Sequence, residues 1–180
     1  MKPRYEYLKT YMLSTVIYDL NNEFCDEYIN RFSRTKDQMV QAGRSGKQNI
    51  AEGCEEESLK SYMKLLGVAR ASLVELKEDY KDYLRTNKLE IWGKDDERIR
   101  VFRDFRVVWV TPTALNAPTS PNNPESFANL MVTLCNQNEF LLSRQIESLR
   151  EKFIREGGWT ENLRKERVNY RYNNRGSKGC

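Results

Sequence analysis

The stretch "DQMVQAGRSGKQNIAEGCEEES", from Asp37 to Ser58, has helical spacing although it carries two glycines in its interior. Each interior glycine destabilises a helix by about 1 kcal/mol relative to alanine. On a helical wheel the stretch shows two neighbouring stripes. The first is small at its centre and apolar at its ends, and consists of Met39, Ala42, Gly46, Ile50 and Gly53. The second is polar and consists of Gln38, Ser45, Asn49 and Glu52.

Close helix packing explains both stripes. Small residues let a neighbouring helix approach, and polar side chains beside them fix the register of the contact by hydrogen bonds. We therefore interpret six residues as an interface motif, within the bundle or between subunits: Gly43, Ser45, Gly46, Asn49, Glu52 and Gly53. The alternative is a binding or catalytic trio of Ser45, Asn49 and Glu52. We favour packing because no general base or metal-ligand set accompanies that trio.

Four long amphipathic segments follow from the spacing of apolar residues. The first runs from about Tyr5 to Phe32, with a stripe of Leu8, Met12, Val16, Leu20, Phe24 and Tyr28. The second begins near Thr35, where Thr35 and Gln38 have capping-box spacing. We expect it to end at Gly53, because glycine adopts the left-handed conformation without steric cost.

The third segment has the clearest pattern, an a/d heptad seam typical of a helical bundle. Its members are Leu59, Tyr62, Leu66, Ala69, Leu73, Leu76, Tyr80 and Tyr83. The fourth segment covers about Pro124 to Glu156, with Asn123 as N-cap and Pro124 in the first helical position. The glycine pair before Trp159 ends it.

These segments predict an all-α fold, an up-down antiparallel four-helix bundle over residues 1–156. An irregular insertion at about 90–124 precedes the last helix, with a short helix between Asp95 and Trp109 and a loop rich in Pro, Asn, Thr and Ser. Residues 157–180 form a basic suffix or tail, polar throughout, with room for one short helical piece.

Composition argues against an enzyme and against a metal or cofactor site. Histidine is absent, which removes the commonest general base and metal ligand. The four cysteines lack ligand-like spacing and are expected to be reduced thiols. No apolar run approaches the ~20 residues needed to cross a bilayer, and the start lacks a secretory signal pattern. We expect a cytoplasmic protein.

Several motifs resemble the bacterial four-helix-bundle family that includes proteins encoded by intervening sequences in 23S ribosomal RNA genes. That family also includes the accessory variability protein of diversity-generating retroelements. The shared pattern is Arg44-Ser45, then the stretch Asn49 to Gly53, then Ser72-Leu73-x-Glu75-Leu76, within about Tyr5 to Leu84. The region from Leu141 to Arg171, with its Gly-Gly-Trp-x-Glu segment, is similar to the suffix of a subgroup of these proteins.

The resemblance implies a bundle assembled as a ring, usually a homopentamer, without enzymatic activity. For the retroelement relative it implies binding to a reverse transcriptase and to nucleic acid. It implies no cofactor.

Two basic clusters are candidate nucleic-acid contacts in a chain of net charge +4. The first lies at the junction of the first two helices: Arg31, Arg34, Lys36, Arg44 and Lys47. The second lies in the tail: Arg164, Lys165, Arg167, Arg171, Arg175 and Lys178. Tyr170 and Tyr172 interleave with the tail cluster, which suits an arm that tracks a single strand and stacks on its bases. The alternative for both clusters is a solvated helix end or a solubilising tail.

The sequence therefore predicts a non-enzymatic, ring-forming scaffold or accessory protein that engages RNA, single-stranded nucleic acid or a nucleoprotein partner. Its first partner is a further copy of itself, and no membrane is involved. The alternative is a protein–protein adaptor without nucleic-acid contact. A ligand- or metal-binding bundle is a third and weaker hypothesis, since an acidic first turn explains the carboxylates after Gly53.

Overall fold

The computed structural model describes residues 3–103 and 121–175, and this part of the chain is helical and contains no strand. The predicted all-α class is confirmed. A short 3₁₀ helix at Arg4–Tyr7 precedes the α-helices. Those are α1 Lys9–Tyr28, α2 Arg34–Glu55, α3 Leu59–Thr86, α4 Glu97–Arg103, α5 Pro124–Glu156 and α6 Trp159–Arg175.

One hydrophobic core joins four of these helices. α2 packs on α3, α3 packs on α5, and α1 packs on both α2 and α5. Each buried aliphatic or aromatic side chain stabilises the fold by about 1.5–3 kcal/mol relative to exposure. The largest fully buried side chains are Ile17, Phe24, Met39, Ile50, Leu66, Leu73, Leu76, Tyr80, Leu84, Phe127, Leu130 and Met131.

The heptad seam of α3 is confirmed, because its central members from Leu66 to Tyr80 are buried. Of the stripe predicted for α1, Leu20 and Phe24 are buried in the core, and Leu8, Val16 and Tyr28 are partly buried and pack against it. In the first half of α1 the core side chains are Leu13 and Ile17. A strict four-residue step drifts around a 3.6-residue helix by about 40° each time. The straight core face therefore follows alternating steps of four and three.

The predicted start of α2 near Thr35 is correct to within one residue, but its predicted N-cap and its predicted end are wrong. The N-cap is Ser33, whose Oγ accepts from the backbone N–H of Thr35 at 3.2 Å, and the helix begins at Arg34. Thr35 is therefore not the N-cap, and the predicted capping box of Thr35 and Gln38 is wrong. Gly53 does not stop α2, which continues to Glu55. Gly53 is buried inside the helix because Tyr62 of α3 packs directly over it.

The ends of α5 agree with the sequence. The Oδ1 of Asn123 accepts from the N–H of Glu125 at 2.8 Å, and Pro124 opens the helix. Gly157 has a φ of 79°, in the left-handed region that favours glycine, and it ends α5.

The start of the predicted insertion is fastened to α5 through Trp92. The indole N–H of Trp92 donates to Glu125 at 3.1 Å, and its backbone N–H donates to Asn129 at 2.9 Å. The ring stacks on Phe102 of α4 with centroids 5.9 Å apart, and the Arg98 guanidinium lies 4.1 Å from its centroid. The rest of the helix predicted up to Trp109 lies outside the described residues.

The predicted tail is helical from Trp159 to Arg175, a longer helix than the short piece expected. It follows α5 after only two glycines. Among the helices that the structure describes, none is long and apolar enough to span a membrane.

Candidate functional site

The predicted polar stripe of α2 meets α3 at one point. The hydroxyls of Ser45 and Ser72 lie 2.9 Å apart, and Ser72 also donates to the carbonyl of Val68 at 3.1 Å. Asn49 donates back to Ser45, to its carbonyl at 2.8 Å and to its hydroxyl at 3.1 Å. Glu52 is exposed on the surface. The structure thus brings Ser45 and Asn49 together and leaves Glu52 apart from them.

The three glycines of α2 are each covered by a neighbouring helix. A Cβ on Gly46 would lie 2.9 Å from Leu73 of α3, and one on Gly53 would lie 2.8 Å from Tyr62. Gly43 faces α1 instead, where a Cβ would lie 3.3 Å from Nδ2 of Asn21. Close approach of α2 to two different helices accounts for glycines within a helix.

A buried polar cluster that sequence reasoning missed lies where α1, α2 and α3 meet. Asn21 is fully buried, and its Nδ2 donates to the carbonyl of Met39 at 3.0 Å. The hydroxyl of Tyr80 donates to Oδ1 of Asn21 at 2.8 Å. Burial raises the pKa of Tyr80 well above its usual value, so the hydroxyl remains a donor. A single asparagine thereby bonds to two other helices.

A second polar cluster joins α1, α3 and α5. Asn138 is fully buried and donates to the hydroxyl of Ser14 at 2.7 Å and to the carbonyl of Thr10 at 3.1 Å. Thr10 donates to Gln145 at 2.8 Å, and Gln145 donates to the hydroxyl of Tyr62 at 2.6 Å. These bonds join polar groups inside the packed helices, which is a structural role, while Oδ1 of Asn138 is buried without a hydrogen-bond partner among the described residues.

A carboxyl group also has a buried oxygen without a partner in the described part of the chain. The Oδ2 of Asp79 is buried and has no hydrogen-bond partner within the described residues. Burial, together with the smaller effect of the charges of Glu75 and Asp82, raises the pKa of Asp79 to about 6. No nucleophile or general acid among the described residues bonds to it, so Asp79 alone defines no reaction.

The buried thiols are poor nucleophiles near neutral pH. Burial raises the pKa of both Cys25 and Cys135 to about 12, which leaves them protonated near neutral pH. Cys25, Cys54 and Cys135 are free thiols, and Cys180 lies outside the described residues. Residues 3–103 and 121–175 hold no group of three or more histidine, cysteine or carboxylate side chains placed to bind a metal ion.

The basic cluster at the start of α2 is largely engaged in local contacts. Lys36 pairs with Asp26 at 2.7 Å. The ammonium of Lys47 lies 4.5 Å from the ring centroid of Tyr18, and the guanidinium of Arg31 lies 4.5 Å from that of its neighbour Phe32.

The remaining two members of that cluster are exposed and lie apart. Arg34 lines an open groove of about 410 Å³ between α2 and α3, together with Asp37 and Glu75. Arg44 lies on the outer surface of α2. The structure therefore does not gather the five cations into one basic surface.

Most cations of the tail cluster, in contrast, are exposed and lack ion-pair partners among the described residues. Arg164, Lys165, Arg167 and Arg171 are exposed on α6, and none of them forms an ion pair within the described residues. Arg175 ends the helix, and Lys178 lies outside the described residues. The candidate nucleic-acid contacts that are both basic and unpaired thus concentrate on α6.

The fold and its contacts define the class: a helical protein whose long helices are joined by buried polar side chains, with an exposed basic helix at its end. The family model described as 23S rRNA-intervening sequence protein matches residues 6–91. The match covers α1 to α3, the part of the chain whose motifs resemble that family. In the comparisons with curated proteins and with solved structures, nothing matches the chain.

Proposed function

We propose that the protein is a non-enzymatic, ring-forming helical scaffold in the cytoplasm that engages RNA or another single-stranded nucleic acid. The observation that carries the proposal is α6, a helix that exposes unpaired cations beside a folded core. Nucleic-acid backbones bind such cations with a gain from released counterions. The printed family name, which refers to an intervening sequence of 23S rRNA, is consistent with an RNA-related role.

The scaffold in this proposal is the up-down bundle formed by α1, α2, α3 and α5. Support comes from contacts near opposite helix ends. Phe24, late in α1, packs on Phe127, early in α5, with centroids 5.3 Å apart. Thr10, early in α1, bonds to Gln145, late in α5. Such pairs are typical of antiparallel neighbours.

The ring in this proposal is a homo-oligomer, with five copies as the first expectation. The groove between α2 and α3 supports self-association because Arg34, Asp37 and Glu75 line it together. None of the three forms an ion pair within the described residues. A groove with free charges of both signs suits the complementary charges of a second copy.

A native-mass measurement of the purified protein tests both parts at once. We expect a particle of five 21.3 kDa chains, with an absorbance ratio at 260 and 280 nm that falls after nuclease treatment. Glu75→Arg should lower the native mass, because it replaces one of the two negative charges that line the groove by a positive charge. A monomer without bound nucleic acid, which also fails to bind added RNA, would contradict the proposal.

A protein–protein adaptor is the second candidate. It is favoured by two apolar side chains exposed on α5, Phe140 at 65% and Ile154 at 72%, which lie about 21 Å apart along the axis on the same side of the helix, a face that suits a partner protein. A defined protein that stays bound after nuclease treatment and is lost with Phe140→Ser would support the adaptor. Retention of that protein by the variant would count against it.

A further inference from the structure

The surface of α6 is open on nearly every side. Of its residues 159–173, all but Asn162 are exposed. The Oε2 of Glu161 turns back to the start of the helix, where it accepts from the N–H of Gly158 at 3.2 Å. This local bond fixes the first turn. It also holds one of the two acidic side chains of α6 at the start of the helix.

Three arginines form one strip along α6. Arg164, Arg167 and Arg171 are spaced by three and four residues, which places them within about 60° of the helix circumference. All three are exposed, and none forms an ion pair in the described part of the chain. We call these three residues the arginine strip. It extends about 10 Å along the helix axis.

An apolar strip runs beside the arginine strip. Trp159, Leu163 and Tyr170 lie within about 40° of one another on the wheel. Their side chains are 49%, 43% and 72% exposed. We call these residues the aromatic strip. Glu166 borders it on the side away from the arginines, so no carboxylate lies between the two strips.

We propose that the two strips together form a binding site for single-stranded nucleic acid. Arginine binds phosphate oxygens with two parallel hydrogen bonds, and the strip can contact consecutive phosphates of one strand. Bases of that strand then stack on Trp159 and Tyr170, which lie about 16 Å apart along the axis. In a duplex the base faces are already stacked, so a duplex engages the arginine strip alone. The inference rests on the proposed function and names its site and its ligand class.

Binding of fluorescent oligonucleotides to the full-length protein tests the site by anisotropy. The probes are one RNA sequence, the same sequence as DNA, and their duplexes. We expect at least about tenfold tighter binding of single strands than of duplexes. Tighter binding of the RNA strand than of the DNA strand would identify RNA as the ligand. Equal binding would show that the site recognises the phosphates and bases that the two strands share. Equal affinity for strands and duplexes overturns the proposal.

Substitutions separate the two strips. Tyr170→Ala should weaken single-strand binding about fivefold to 100-fold, the range seen for lost base stacking, without changing its salt dependence. Replacing all three arginines by alanine should reduce the slope of log affinity against log salt by about 2, since each phosphate contact contributes about 0.7. Alanine favours the helix, and circular dichroism checks that α6 is retained.

Matched controls lie on other sides of the same helix. Tyr172→Ala removes an 80% exposed tyrosine roughly 160° away from Tyr170 on the wheel. Tyr172→Ala should bind within about twofold of the parent protein. Lys165→Ala removes a cation outside the arginine strip and should weaken binding less than any single alanine substitution within the strip. Equal weakening by Tyr172→Ala and Tyr170→Ala would refute the two-strip arrangement.

Fluorescence gives a direct readout of stacking. Single strands should quench Trp159, and Trp159→Phe should remove most of that quenching while Trp92 stays shielded at 9% exposure. If the protein binds nucleic acid and the α6 variants change nothing, this site is wrong while the proposed function survives. If no probe binds, the proposed function itself fails. A protein ligand that needs the arginines but neither Trp159 nor Tyr170 also refutes the site.

Discussion

The packed helices and α6 differ in how much of their side chains is buried. Phe24, Leu73 and Tyr80 are fully buried, and the polar Asn21 is buried with partners on other helices. α6 is exposed almost throughout its described length. Isolated helices of this length are only marginally stable in water. The comparison teaches that substitutions in the packed helices test folding, whereas substitutions on α6 test the binding proposed for α6.

Phe24→Ala should have the largest effect on stability. Phe24 packs edge-on against Tyr80, Tyr83 and Phe127, with centroids 4.9 to 5.3 Å away. Removing its ring leaves a cavity and should lower the free energy of unfolding by about 3–5 kcal/mol, as measured by urea denaturation. Tyr172→Ala on α6 is the control and should change it by less than about 0.5 kcal/mol. Similar losses in both variants would break the comparison.

Asn21→Leu should have the next largest effect. The substitution leaves the Met39 carbonyl and the Tyr80 hydroxyl without their buried partner. We expect a loss of about 2–3 kcal/mol in the free energy of unfolding.

A double-mutant cycle tests the cause of that loss. In the presence of Tyr80→Phe, the added cost of Asn21→Leu should be smaller, because the hydroxyl is already absent. Additive losses would show that the hydrogen bond between Asn21 and Tyr80 contributes little.

Two glycine substitutions should change stability in opposite directions. A Cβ at Gly53 would meet Tyr62 at 2.8 Å and the Cβ of Leu65 at 3.2 Å, whereas a Cβ at Gly67 meets nothing within 4 Å. Gly53→Ala should lower stability by about 1 kcal/mol, because overpacking outweighs the gain in helix propensity. Gly67→Ala should raise stability by about 0.5–1 kcal/mol. Melting temperatures of the two variants that shift in the same direction would contradict this contrast.

Sequence reasoning succeeded where one helix carries one repeating pattern. The seam from Leu66 to Tyr80 follows alternating steps of three and four, and the core follows it. The stripe around Gly46 was likewise predictable, because small residues within a helix indicate close packing. Helix ends were harder, since Ser33 and Thr35 both qualify as caps and only the folded backbone selects Ser33.

Buried polar residues were the main omission. Asn21 and Asn138 are polar and were not counted as core, yet both are fully buried. A buried asparagine requires partners from other helices, such as Met39 and Ser14, and one sequence does not show which helices meet. The polar stripe misled in the other direction, because Glu52 lies one turn beyond Asn49 and is exposed. In the tail, the spacing of the arginines can be read from the sequence. They lie on one side of a helix only because α6 extends from Trp159 to Arg175.

Asp79→Asn should raise the free energy of unfolding by a smaller amount, which depends on pH. The pKa of Asp79 is raised from 3.8 to about 6, so the folded protein holds its proton more tightly than the unfolded chain. Stability therefore falls as the pH rises between these values, and the penalty is complete above about pH 6. The variant should gain up to about 1 kcal/mol at pH 7.5, an amount reduced by solvent screening of a partly exposed group.

Urea denaturation at several pH values checks this expectation. Below pH 4 the gain should vanish, because Asp79 is then neutral in both states. Glu147→Gln on α5 is the control, since Glu147 is an exposed partner of Arg150, and its effect should be small. A gain that is the same at pH 4 and pH 7.5 would exclude the charge of Asp79 as its cause.

Removal of α6 should have the smallest effect on folding. A chain that ends at Gly158 keeps the buried core intact, because no described residue of α6 is buried. It also keeps Gly158, where an added Cβ would lie 3.0 Å from the ring of Phe153. We expect its free energy of unfolding to match that of the full chain within about 0.5 kcal/mol, because only exposed surface is lost. Its binding of single strands should be lost. A clear drop in stability would mean that α6 packs against the bundle or a second copy, and its strips would then be an interface within the assembly.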